Sequence, residues 1–223
     1  MIKSLDTGAL TATLEINPNY NGNFEGQKPS IQTVVIVKAE DDTMMDAFKT
    51  GEINFLSQLG EGDKINAALD LVDAGGFNYC HYTRNGYGKL MFQCDFGPTQ
   101  FAAVRQAIAY LLDREEFANT FCGGYGSVVH GPYSTAQWMY QDSEELFNEK
   151  LNAYAYDPAK AVEVLEADGW TLDAEGNEYS GTGLRYKEVT AEEAGDYALN
   201  VTLADGRILM PLHIMWSSSE GNS

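Results

Sequence analysis

The residues able to do chemistry lie far apart. The three histidines, His81, His130 and His213, show no HxH or HExxH pairing, so a metal site would have to be assembled from distant segments. The three cysteines, Cys80, Cys94 and Cys122, are odd in number and lack CxxC spacing, which is neither a disulfide framework nor a zinc pattern. Cys80 and Cys94 stand among apolar and aromatic residues, where a free thiol is expected to pack as a small hydrophobe. Ser127 and His130 could touch in a turn, but no GxSxG elbow surrounds them and no nearby carboxylate would orient the imidazole. Gly123, Gly124 and Gly126 share only composition with a phosphate loop. A dinucleotide fingerprint needs a strand before and a helix after, and here a helix precedes and a loop follows. Adjacent acids (Asp41/Asp42, Glu115/Glu116, Glu144/Glu145, Glu192/Glu193) are normally solvated, whereas glycosidase acids need a fixed separation across a cleft. "DAEGN" lacks the length and terminal Glu of a calcium loop and reads as a turn.

The aromatic residues say more. Tyr 13, Phe 10 and Trp 3 concentrate in "FNYCHYTRNGYGKLMF" and "YGSVVHGPYSTAQWMY". Two readings stand: core and turn packing, or Tyr and Trp at loop tips lining a recognition cleft. The charge balance excludes other partners. With 33 acids against 14 bases and a net charge of −19, the chain lacks the clustered cations that nucleic acid or an anionic membrane face would need. The acid-rich stretch from Asp142 to Asp196 reads as a solvated face. At 223 residues and 44% hydrophobic, one or two domains can each bury a core. The N-terminus lacks a signal peptide's apolar stretch, and no run approaches a membrane span.

The elements that must position any site read as α/β. Leu10, Ala12, Leu14 and Ile16 alternate with Thr11, Thr13 and Glu15 as a strand already in progress, followed by the turn-rich "NPNYNGNFEGQKPS". "IQTVVIVKAED" is a β-branched strand expected to be buried on both faces. "DDTMMDAFKTG" is a short helix with Asp42 or Thr43 as N-cap and Gly51 past its end. "EINFLSQ" reads as a strand, and a helix from Asp63 is closed by Gly75 and Gly76. Residues 77–96 read as two extended pieces about the turn Asn85-Gly86. After Pro98 a helix places Val104, Ala107, Ile108, Leu111 and Leu112 on one face. That face is expected to be buried against strands around Leu90 and Phe92, with Leu165 and Trp170 on the same sheet. Asp113 caps a second helix. Asp157, Pro158 and Gly169 bound a third, and "DAEGNEY" and "ADGRI" are hairpin turns.

Taken in order, these segments resemble the family 5 extracellular solute-binding proteins of ABC transporters, the oligopeptide-, dipeptide- and nickel-binding group. "LEINPNYNG", "KPSIQTVVIVKAEDDTMMDAFKTGEINFL", "GYGKLMFQCDFGPTQFAAVRQAIAYLLDREEF", "GGYGSVVHGP" and "YDPAKAVEVLEADGW" follow that family's sequence of strand, helix, Pro-initiated helix, Gly-rich loop and Gly-Trp-terminated helix. The likeness runs from residue 1 to about 170. Gln93 stands where the family usually has Asn, and from Leu172 to Arg207 the likeness thins to what reads as a hairpin insertion.

The resemblance implies a fragment of a two-lobed periplasmic-binding-protein-like (class II) fold, with mixed sheets flanked by helices. Residues 1–78 would belong to the first lobe, 79–82 to a hinge crossing and 83–223 to the second lobe. The family's signal, lipid-anchor cysteine and smaller subdomain would precede this chain. The acidic group that pairs with a peptide's amino terminus would follow it. The implied function is capture of extracellular peptides or similar small solutes for the permease subunits of an importer. The protein would be a non-enzymatic monomer, extracellular and cell-surface anchored or periplasmic, with no cofactor, resident metal or nucleic acid. The ligand-binding residues would be Tyr82, Arg84, Tyr87 and Tyr133, with the planar fork of Arg84 suited to a carboxylate. The glycine-rich run at 123–126 would serve backbone geometry near the cleft. An acidic glycosidase or peptidase domain, or a sensory or scaffold module on the same fold, are the alternatives.

Overall fold

The structure, a computed structural model, describes residues 1–40 and 42–217. Asp41, half of one acidic pair, and the end of the range 83–223 lie outside the described residues. The chain divides into two compact units, the first Met1–Tyr79 and the second beginning at Cys80. Among the described residues no helix is long and apolar enough to cross a membrane.

The first unit opens with three antiparallel strands, β1 (Ile2–Asp6), β2 (Thr11–Glu15) and β3 (Thr33–Val37), in that spatial order. Asp6 builds the first turn by accepting the amides of Gly8 and Ala9, each at 2.9 Å. β2 pairs with β3 in register from Thr11–Val37 to Glu15–Thr33. The expected two-faced burial of β3 is not found: Val34 to Val37 are all exposed, Val35 at 56%. β3 is the last strand in the order β1-β2-β3 of this sheet, and its β-branched run fits the pleated surface. Helix α1 (Met44–Thr50) starts after Thr43 and ends on Gly51 at φ 79°, and α2 spans Gly62–Asp73. The segment "EINFLSQ" forms no strand. Its Ile53 amide turns back to the Ala47 carbonyl at 3.1 Å, closing the end of α1 instead of joining a ladder.

The second unit begins with a long segment, residues 80–97, that carries no strand. The Asn-Gly hairpin expected at 85–86 is absent, and Gly86 is not among the glycines with positive φ, which a two-residue type I′ turn would need. Gly97, at φ 60°, is different: a Cβ there would stand 3.2 Å from the Tyr197 ring. Pro98–Gln100 make one 3-10 turn into α3 (Ala102–Leu111), and α4 (Arg114–Cys122) follows directly. Asp113 caps α4 by accepting the Glu116 amide at 2.9 Å. The short helices α5 (Trp138–Gln141) and α6 (Glu144–Lys150) lead to α7 (Pro158–Ala167). There Asp157 accepts the Lys160 amide at 2.9 Å and Pro158 occupies the first turn. A second antiparallel sheet, β4 (Tyr186–Val189), β5 (Val201–Thr202) and β6 (Ile208–Pro211), has the order β4-β6-β5. Between β4 and β5, α8 (Ala191–Ala194) carries a full capping box of Thr190 and Glu193.

The core of this unit joins α3, α7 and the second sheet. Val104, Ala107, Ala161, Leu165, Trp170, Val189 and Met210 form one cluster, with Trp170 and Met210 wholly buried. Residues 172–207 are therefore part of the packed unit: they supply Val189 of β4, Ala194 of α8 and Tyr197 to the core. The expected apolar face of α3 is also corrected. Leu111 is 52% exposed and Leu112 40%, while the buried positions are Ala103, Val104 and Ala107. The partner of α3 is α7, which meets it through Ala161. Leu90, half exposed, is not part of that contact. Small residues let the two helices approach, and the last turn of α3 stays tied to the start of α7, where the Tyr110 carbonyl accepts the Asp157 amide at 2.9 Å, while Leu111 faces water before the chain turns extended at Leu112. Cys80 and Cys94 are exposed rather than packed.

Truncating Trp170 to Ala should cost about 3–5 kcal/mol, as for other buried large side chains. Leu111→Ala should change stability by less than about 0.5 kcal/mol. Denaturant titration of both variants checks this, and comparable large losses would place Leu111 in the core.

Candidate functional site

The candidate binding residues all fall in the second unit, on segments without strand or long helix. Tyr82 is 73% exposed, Tyr87 40% and Tyr133 39%; Arg84 is exposed as well. Tyr133 is held through an aromatic row: its ring lies 6.3 Å from Phe147 of α6, which stacks on Tyr140 of α5 at 5.5 Å. Tyr140 is buried, so Tyr133 stands at the open end of an anchored row. The next residue, Ser134, reaches across the sequence and donates its hydroxyl to the Arg84 carbonyl at 2.7 Å. The structure thus brings the main chain at Arg84 and the segment of Tyr133 together. Tyr82 and Tyr87 flank Arg84 in sequence and make no ring contact or side-chain hydrogen bond among the described residues.

The state of Arg84 is unlike that of the other arginines. Arg105 donates to the Thr99 and Gln100 carbonyls, each at 2.7 Å, and Arg114 donates to the Ala153 carbonyl. Arg185 pairs with Glu166 at 3.1 Å and Arg207 with Asp205 at 2.8 Å. Among the described residues the Arg84 guanidinium has no ion-pair or hydrogen-bond partner, in a chain with 33 acids. A planar cation left open in this way is suited to bind a carboxylate in two-point fashion.

Other candidates do not assemble. Among the described residues no group of three or more His, Cys, Asp or Glu side chains could hold a metal, and Ser127 shares no hydrogen bond with His130. Gly123 ends α4 at φ 58°. A Cβ at Gly126 would lie 2.6 Å from the Cys122 sulfur, so that glycine admits a close approach. Three carboxyls are shifted by their surroundings. Burial pushes Asp173 up, but hydrogen bonds from Asn177, Glu175 and Gly176 outweigh it and hold the carboxyl below its usual range. The Thr190 amide holds Glu193 down, and the Arg207 guanidinium does the same for Asp205. In the first unit, a depression of about 510 Å³ beside α1 is lined by Val37, Lys38, Glu40, Met44 and Ile53. Its Lys38 is already paired with Glu40 at 2.8 Å.

Ser134 was invisible to sequence reasoning because no local pattern marks a hydroxyl whose partner lies fifty residues away. Its only trace in sequence is a lone Ser after Pro-Tyr.

The fold is shared with known proteins. NikA from Brucella suis, solved in complex with Fe(III)-EDTA, superposes with a TM-score of 0.57 at 23% identity, covering 82% of this chain and 35% of that one. That neighbour is a class II periplasmic binding protein, and the likeness establishes the same fold for the part spanned here. The sequence model described as bacterial extracellular solute-binding proteins, family 5 Middle, matches residues 1–205, and the chain belongs to that family. The nickel-binding periplasmic protein of Escherichia coli (strain K12) is 28% identical over 159 residues, 69% of this chain and 28% of the relative. The oligopeptide-binding protein AppA of Bacillus subtilis (strain 168) is 26% identical over 181 residues, 76% of this chain and 30% of the relative. The chain spans less than a third of the length of these relatives.

Phenylglyoxal should modify Arg84 well before Arg105, whose guanidinium is committed to two carbonyls. Peptide mapping by mass spectrometry under limiting reagent reads the order, and equal rates would show that Arg84 is also engaged.

Proposed function

We propose that this chain is part of the substrate-binding component of an ABC importer, capturing extracellular peptides or similar carboxylate-bearing solutes between two lobes. Residues 1–78 would lie in the first lobe, 79–82 in the hinge crossing and 83–223 in the second lobe, with closure a hinge motion. The observation that carries the ligand chemistry is the unpartnered guanidinium of Arg84, whose main chain is bonded to the segment of Tyr133. Tyr82, Tyr87 and Tyr133 would offer flat apolar faces with polar tips around the bound solute. A relative named for oligopeptides and a neighbour holding a carboxylate chelate are consistent with this chemistry. The receptor would act as a monomer with membrane permease subunits, outside the cytoplasmic membrane and anchored or periplasmic. It would use no cofactor and bind no nucleic acid. Catalysis is no part of this reading, which rests on ligand capture by Arg84 and the tyrosines.

Enclosure supplies affinity in such a site, since closed lobes desolvate the ligand and complete its hydrogen bonds. Isothermal calorimetry with one peptide as free acid and as C-terminal amide tests the reading on the receptor that carries this chain. The free acid should bind at least about tenfold tighter, equivalent to about 1.4 kcal/mol, and Arg84→Ala should erase that preference. On residues 1–223 alone, binding should be weaker by about 30-fold or more, the effect of leaving a charged ligand end unpaired. Equal affinity for acid and amide would remove Arg84 from the site. Equal, tight binding by the short and long proteins would place the whole site within residues 1–223.

A further inference from the structure

Ser134 stands apart from the apolar cluster that stabilises its unit, yet it is the buried polar side chain among the described residues, 2% exposed. Both hydrogen-bonding capacities of its hydroxyl are used. It donates to the Arg84 carbonyl at 2.7 Å and accepts the Ala136 amide at 3.3 Å. A buried hydroxyl is costly unless satisfied in this way. The bond joins two segments that no ladder holds, and it does so at the residue whose guanidinium is open.

Gly86 adds a second constraint on the same arginine. Its φ lies outside the left-handed region, so the backbone does not demand glycine. The demand comes from space: a Cβ at position 86 would lie 2.9 Å from Arg84 Nε and 3.3 Å from its Cζ. The guanidinium therefore lies across the bare turn that follows it, and any larger residue at 86 displaces it.

We propose that Ser134 and Gly86 are positioning residues for carboxylate recognition by Arg84. Ser134 fixes the main chain of Arg84 beside the Tyr133 segment, and Gly86 leaves room for the guanidinium to rest in one orientation. The inference rests on the assignment of Arg84 to the ligand site and extends it to groups that need not touch the solute. Pre-organisation of this kind lowers the ordering cost of binding and favours a ligand that matches the fixed fork.

The test uses the receptor that carries this chain, as wild type, Ser134→Ala and Gly86→Ala, with the same peptide as free acid and as amide. The primary readout is the ratio of the two affinities, which a simple loss of folded protein would not move. Both variants should reduce the acid-over-amide ratio at least fivefold. Hydrogen exchange supplies a readout independent of ligand. In Ser134→Ala, amides of residues 82–88 should exchange at least tenfold faster while α3 and α7 keep their protection. A wild-type preference that survives in both variants overturns the proposal and leaves the role of Arg84 intact. Unchanged exchange at 82–88 in Ser134→Ala also overturns it. Absence of any preference in the wild type overturns the Arg84 assignment itself. Should Ser134→Ala fail to fold, Gly86→Ala decides, since its backbone suits alanine and only the arginine must move.

Discussion

The second unit depends on the burial of Trp170. Its ring lies at the meeting of α3, α7 and the sheet of β4, β6 and β5, fully removed from water. Its polar edge is satisfied there: the indole N–H donates to Asp168 at 3.1 Å. Asp168 also accepts from Lys187 of β4 at 2.8 Å, and that ammonium lies 4.1 Å from the centre of the Phe101 ring. Phe101 in turn meets Trp170 edge-on at 5.7 Å. Arg185 closes the group by donating to the Trp170 carbonyl at 3.0 Å. One large apolar ring thus ties the helix pair to the sheet, and the charges around it are paired at the edge of the core, where desolvation is partial.

The contrast with residues 80–97 is what makes a site legible. The core spends its cations on carbonyls and carboxylates, as Arg105, Arg185 and Lys187 show. The strand-free segment instead keeps a guanidinium open and its tyrosines exposed. A binding segment must leave such a cation available and let a few fixed points, here Ser134 and the space over Gly86, limit its freedom.

Helix punctuation was legible in the sequence because it depends on neighbours within a turn. Asp113, Asp157 and Pro158 cap or open helices as expected, and Gly51, Gly123 and Gly169 end them with positive φ. The turns at "DAEGNEY" and "ADGRI" follow from the same local chemistry. The order of these segments was enough to indicate the family, since a series of local signals in fixed succession is specific even where each is weak.

The tertiary structure decided whatever depends on a distant partner. Periodicity proposed five positions of α3 as one buried stripe, but only contact with α7 selects Ala103, Val104 and Ala107 and leaves Leu111 and Leu112 to solvent. "EINFLSQ" and β3 have the composition of strands, yet only β3 joins a ladder, with β2, because strand pairing depends on neighbours the local sequence does not name. Asn85-Gly86 has the letters of a hairpin turn, whereas its glycine makes room for a side chain. The bond from Ser134 to Arg84 joins residues fifty positions apart. Local sequence fixes backbone conformation through short-range sterics and caps, while long-range contacts decide which side chains are buried, paired or left free to meet a ligand.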